Sequence, residues 1–289
     1  MVKLLAERAF AKINLFLRVT GRREDGYHQL DSIFVPISIS DRIAIEMRPT
    51  KTSSVTLRCN IAALADVQSN LASRAAGDFM REFAISAQVS IDLHKTIPAG
   101  AGLGGGSSDA GTVLRMLAAM THQPREAIMR LHDIALGLGA DVPFFLDPRP
   151  SRIGGIGERV EAIEKFPQLH LVVAVPPIEV PTAAIFKKLM REGWSGPAPS
   201  DHIDEIRRGD IASKHLVNDL EAPAIALYPQ IAQLKALLQE CGAGAASMTG
   251  SGGAVFGIFP DSAASERAAD ELRRRAPQAR VFAAQSVAF

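Results

Sequence analysis

The chain has 289 residues, enough for two domains or one large one with a proper hydrophobic core. Charged residues make up 22% of it and the net charge is +1, which excludes a broad electrostatic footprint for nucleic acid or an acidic membrane and directs attention to a small-molecule ligand. No run reaches the roughly 18 consecutive apolar residues of a membrane span. Lys3, Glu7 and Arg8 stand where a signal peptide would be apolar, so the expected location is the cytoplasm. Cys59 and Cys241 are isolated and read as reduced, buried thiols, and the seven histidines are scattered without ligand spacing, so no protein-built metal site is expected.

In chain order, residues 11–20 alternate strictly, with Ile13, Leu15, Leu17 and Val19 on one face and Lys12, Asn14, Phe16 and Arg18 on the other. That is the period of a half-buried strand, and it points Lys12 and Asn14 the same way. Strand-like runs follow at 32–40, 42–47, 55–59 and 88–93, with a helical pattern over 70–83.

Residues 95–117 join an anion-binding loop to an amphipathic helix. Gly100, Gly102, Gly104, Gly105 and Gly106 remove side chains that would keep backbone N–H groups from converging on one anion. Ser107, Ser108 and Asp109 then open a helix whose Ala110, Val113, Leu114 and Leu117 repeat at i, i+3, i+4 and i+7, so its free amides and positive dipole end face whatever the loop holds. Gly100, Gly102 and Gly105 formally match G-x-G-x-x-G, but the first-βα-turn context and the later acidic residue of a dinucleotide fold are missing. No Lys-Ser or Lys-Thr follows at P-loop spacing either, so a phosphate loop of another family is required.

Helices are expected at 108–120 and 125–138. The pattern restarts with a strand at 169–175, helices at 182–191 and 221–239, strands at 245–249 and 254–259, a helix at 262–275 and a strand at 280–284. Residues 193–200 form a turn-rich loop. Strands grouped before helices in each half predict an α+β fold, with domains at 1–160 and 161–289.

Three further blocks complete the pattern: Ala-Lys-Ile-Asn-Leu at 11–15 with Gly-Arg-Arg-Glu-Asp-Gly-Tyr-His at 21–28, Leu-Gly-Ala-Asp-Val-Pro-Phe-Phe at 138–145, and Met-Thr-Gly-Ser-Gly-Gly-Ala-Val-Phe-Gly at 248–257. Together with the glycine loop, in this order, they resemble the GHMP kinase superfamily. The resemblance implies a two-domain architecture, with an N-terminal ribosomal-protein-like β-α-β domain and a C-terminal ferredoxin-like α+β domain. One departure is Phe10 where relatives often carry proline before Ala-Lys, which leaves Lys12 in place.

The resemblance further implies ATP as phosphoryl donor, with Mg²⁺ carried by the nucleotide and its phosphates held along Pro98, Ala99, Gly100, Ala101, Gly102, Leu103, Gly104, Gly105, Gly106, Ser107 and Ser108. It makes Asp141 the catalytic base, although Asp before Val-Pro also reads as a helix N-cap. Lys12 would keep Asp141 ionised and stabilise the transferred charge, and Asn14 would orient the substrate hydroxyl. The Gly-Tyr-His and Gly-Ala-Asp-Val-Pro blocks point within the superfamily to a substrate carrying cytidine diphosphate, with Tyr27 and Phe186 stacking on cytosine and His28 reading its edge. Phe186 alone also reads as helix core, and the 250–253 turn either closes over the substrate or merely joins two strands. A monomer or weak homodimer is expected. A homoserine, mevalonate or galactose kinase would share the loop without needing Tyr27, His28 and Phe186.

Overall fold

The computed structural model describes residues 2–124, 127–189 and 194–287. The chain folds into two compact units, one made of the chain up to Ala11 with Ser40–Ile97 and Gly104–Pro148, the other of Lys12–Ile39, Pro98–Leu103 and the chain from Arg149 onward. These units do not follow a single cut at residue 160, because two long strands, β1 (Lys3–Arg22) and β2 (His28–Pro49), each give one half to either unit.

In the first unit, β4 (Ala87–His94) pairs antiparallel with the C-terminal half of β2, Ile91 opposite Ile45, and parallel with β3 (Ser54–Cys59), Ile91 opposite Leu57. The alternating Val89, Ile91 and Leu93 face a core that also takes Phe79 from α1 (Leu71–Glu82) and Val113, Leu114 and Leu117 from α2 (Gly105–Thr121). Asn70 caps α1, its side chain accepting from Ala72 N at 2.9 Å. Helix α3 (Ile128–Leu138) and a short 3₁₀ turn, Pro143–Leu146, follow. Gly111 lets α2 approach that turn closely: a Cβ there would lie 2.5 Å from Phe145 Cβ.

In the second unit, β5 (Ser151–Gly155) pairs with the N-terminal half of β2 and with β6 (Arg159–Ala162). Four antiparallel strands form a second sheet in the order β10 (Arg280–Gln285), β7 (His170–Val175), β9 (Val255–Phe259), β8 (Ala245–Met248). Helices α4 (Thr182–Lys188), α5 (Ser200–Arg208), α6 (Glu221–Leu227), α7 (Gln230–Glu240) and α8 (Ser262–Arg275) complete the unit. Val172, Ala174, Leu234, Leu238, Val255 and Leu272 share its core.

Several expectations change. The strand over 11–17 is buried on both faces, Lys12 being 3%, Asn14 2% and Phe16 1% exposed, because the Pro98–Leu103 loop and the Gly250–Gly253 turn of the same unit pack against it. The helix expected over 221–239 is two: Pro229 has no amide to donate and drives Tyr228 to φ −135° and ψ 81°, outside the helical region. The runs 32–40 and 42–47 are one strand, and α5, β5 and β6 were not foreseen. The expected starts and ends of helices and loop at Arg125, Arg191 and Gly193 lie outside the described residues, as does the side chain of Ile128. Cys59 and Cys241 are free thiols and only half-buried. Among the described residues no helix is long and apolar enough to cross a membrane.

Candidate active site

In the second unit Lys12 is the centre of a buried polar network. Its Nζ donates to Asn14 Oδ1 at 2.7 Å and to the Gly102 carbonyl at 3.0 Å, and lies 4.7 Å from the Phe34 ring centroid. Asn14 Nδ2 donates to Ser32 Oγ at 3.0 Å, while the Thr249 hydroxyl donates to Asn14 Oδ1 at 3.3 Å and accepts from Asn14 N at 2.9 Å. Both acceptor sites of the Asn14 carbonyl oxygen are thereby used, so its amide holds Lys12 in place instead of standing open.

The Pro98–Leu103 loop lies over this network. Lys12 N donates to the Leu103 carbonyl at 3.0 Å and Ala254 N to the Ala101 carbonyl at 3.2 Å. Gly102, at φ +82°, has no room for a side chain, since a Cβ would sit 2.3 Å from the Thr249 carbonyl oxygen; one on Gly252 would sit 2.2 Å from Gly102 N. Ala99 and Gly100 remain exposed. The 250–253 turn is therefore both a strand connection and a backbone support for the loop. Asn218 fixes it from below, Nδ2 donating to the Met248 and Gly250 carbonyls at 2.9 and 3.0 Å.

In the first unit Gly104, at φ +69°, opens α2 without a side-chain cap, leaving the first-turn amides to other partners. Gly105 and Gly106 are helical here and not part of the turn. Ser108 is fully buried and its hydroxyl donates to the Phe10 carbonyl at 2.6 Å, whereas Ser107 is half-exposed. Asp141, half-buried, sits in the turn between α3 and the 3₁₀ helix, whose cap position falls on Val142.

Beneath the first turn of α2 lies a cluster that motif reading passes over. Lys95 Nζ donates to Asp109 Oδ2 at 2.6 Å and to Asp41 Oδ2, and Asp41 Oδ1 accepts the backbone amides of Thr96 and of Ile97, the latter at 2.8 Å. Asp41 and Asp109 stand 54 and 14 residues from Lys95, with nothing local to link them. Burial above all, with the Asp41 charge adding and Lys95 opposing, pushes the Asp109 carboxyl up to about 8.

The aromatic residues named from the sequence all belong to the second unit, where two of them, His28 and Phe186, are in contact. His28 stacks on Phe186 with ring centroids 4.8 Å apart and planes at 27°. Phe186 is half-buried, packed against the core of the unit and in contact with His28, so it is not simply helix core. Tyr27 is 61% exposed, next to Gly26 at φ +89° in the β1–β2 turn. Burial, then the Arg22 charge, lower the His28 pKa below its usual value, favouring the neutral imidazole.

The N-terminal GHMP kinase domain model matches residues 70–147 and the C-terminal GHMP kinase model residues 182–278, one carrying the whole glycine loop and Asp141, the other Phe186 and the 250–253 turn. The class is thus that of the GHMP kinases. A homoserine kinase from Cytophaga hutchinsonii, 14% identical, shares the fold, with a TM-score of 0.72 over 98% of this chain and 94% of its own. Identity is higher with a 4-diphosphocytidyl-2-C-methyl-D-erythritol kinase of Syntrophotalea carbinolica, at 37% over 96% of this chain and 97% of the relative. A crystal structure of a 4-(cytidine 5'-diphospho)-2C-methyl-D-erythritol kinase agrees with a TM-score of 0.84 at 35% identity, over 98% of this chain and 100% of that one. The chain belongs to the 4-diphosphocytidyl-2-C-methyl-D-erythritol kinase family.

Proposed function

We propose that the chain transfers the γ-phosphoryl group of ATP to the 2-hydroxyl of 4-diphosphocytidyl-2-C-methyl-D-erythritol, giving the 2-phosphate and ADP in isoprenoid precursor biosynthesis. The observation that carries this reading is the His28–Phe186 stack in a chain that also has a glycine loop running into an uncapped helix N-terminus. A flat base needs an aromatic face, and a triphosphate needs converging amides.

In this reading the backbone over Pro98–Ser108 holds the nucleotide phosphates, and Tyr27 and Phe186 flank cytosine while the neutral His28 ring reads its edge. Phosphoryl transfer forms a bond from the substrate 2-oxygen to the γ-phosphorus and breaks the bond to the β,γ-bridging oxygen; the hydroxyl proton passes to the Asp141 carboxylate. Lys12, fixed by Asn14 and Gly102, supplies a cation to the charge on the transferred group. In this reading Mg²⁺ is held mainly by phosphate and water, with the half-exposed Ser107 hydroxyl at hand. When bound, the ion neutralises phosphate charge.

The test is ADP release with the diphosphocytidyl substrate set against homoserine, mevalonate and galactose. Turnover of the first alone is expected, and Asp141→Asn is expected to lower kcat by about 10²–10⁴ while ATP still binds. Robust turnover of homoserine would overturn the assignment. The reading includes a cytoplasmic monomer or weak homodimer, to be checked by sedimentation.

A further inference from the structure

We propose that Trp194 is a positioning residue for base recognition, its ring edge-on to His28 so that the imidazole keeps its plane over Phe186. This rests on the reading of His28 and Phe186 as the cytosine site. The Trp194 and His28 ring centroids are 5.8 Å apart with planes at 86°, so His28 meets one stacked ring and one perpendicular ring. An imidazole on a strand end otherwise turns about two side-chain bonds, and reading a base edge needs its nitrogens at a fixed angle.

The segment that carries Trp194 is poor in local structure and rich in turn residues, a composition that by itself gives a loose surface loop. Here it is tied by its backbone. Ser195 N donates to Asp219 Oδ2 at 2.9 Å and Ser195 Oγ to Asp219 Oδ1; Gly196 N donates to the Val19 carbonyl at 3.2 Å; and Ala198 N donates to Asp31 Oδ2 at 2.8 Å. Both carboxylates are nearly sealed from water, at 8% and 5% exposure. Asp219 also takes Val19 N at 2.7 Å, and Asp31 takes Arg152 through two bonds of 2.9 Å, so the loop completes the hydrogen bonding of two costly buried charges. Trp194 meanwhile rests on the core of the unit, half-exposed. A loop anchored by two buried carboxylates delivers its one aromatic ring to the residue that reads the base.

Trp194 is the chain's single tryptophan, so its emission reports on this place without any label. Full-length protein titrated with CMP is expected to change its emission saturably, and UMP to do so only at higher concentration. Trp194→Leu keeps apolar bulk without an aromatic edge, and Trp194→Phe keeps the edge. The leucine variant is expected to raise KM for the diphosphocytidyl substrate about three- to tenfold, with a smaller fall in kcat, KM for ATP following the parent and melting temperature close to it; phenylalanine restores most of the loss. Active wild type whose emission ignores CMP, or a leucine variant with the parent's KM, would overturn the role of Trp194 alone. Wild type that releases no ADP with this substrate would overturn the proposed reaction, and this role with it.

Discussion

Lys95 Nζ lies 2.6 Å from an Asp109 carboxylate oxygen, with both side chains 4% exposed, and the other Asp109 oxygen has no hydrogen-bond partner among the described residues. With its carboxyl pushed up to about 8, the folded chain keeps a proton that the unfolded chain gives up above its ordinary carboxylate value of about 4. Stability contributed here is therefore present at low pH and lost as pH rises toward 8. Asp109→Asn is expected to flatten that decline between pH 5 and 8, measured by urea midpoints. Lys95→Met strands the buried Asp41 charge and is expected to cost about 3–5 kcal/mol. An Asn variant with the parent's pH slope would contradict this account.

Lys12 predicts a different signature. Its ammonium gives hydrogen bonds to Asn14 and Gly102 that methionine cannot make, so Lys12→Met is expected to lose about 1–3 kcal/mol of stability. On the proposed reaction it should also lose about 10²–10³ in kcat. Thermal melts and ADP release separate the two. A variant that works as well as the parent would remove Lys12 from the chemistry.

Two glycines of one loop are expected to respond unequally to alanine. Gly100, at φ +68°, faces open space, and its replacement carries only backbone strain of about 1–2 kcal/mol. Gly102 adds a collision with the Thr249 carbonyl oxygen, so Gly102→Ala should force the loop off its support and raise KM for ATP about tenfold more than Gly100→Ala. Equal effects would show that the packing of loop on turn does not matter to the nucleotide.

Burial and then the Arg22 charge lower the His28 pKa, so on the proposed role of His28 base reading should be independent of pH above neutrality. Below its lowered pKa the ring gains charge and a second donor in place of an acceptor. KM for the cytidine substrate is expected to be flat from pH 7 to 8.5 and to climb under acid conditions, with KM for ATP as control. A KM that improves as pH falls would mean that the charged ring is the reader.

Local periodicity made much of this chain readable. The i, i+3, i+4, i+7 repeat after the glycines gave α2, and alternation gave β4 and placed Lys12 beside Asn14 on one face. What local pattern cannot carry is what covers that face: residues near 102 and 249 bury Lys12, and no feature of the 11–20 segment announces them. The Asp41–Lys95–Asp109 cluster was hidden for the same reason: Asp109 was read only as part of a helix start, and nothing near Asp41 or Lys95 in the chain links them to it. Helix α5 was missed because only Ile203 and Ile206 mark its buried side. The Tyr228-Pro229 break, by contrast, was legible from proline's missing amide and was overlooked under a strong apolar repeat.

Asn218 and Asp219 are neighbours in the chain, yet one grips the turn beneath the glycine loop and the other grips the segment bearing Trp194. A single peptide unit joins them, so both grips are rooted in the same short stretch of backbone. The dipeptide is thus a common tether for the 248–250 turn and for the segment bearing Trp194, and a residue inserted between its two members is expected to loosen both at once.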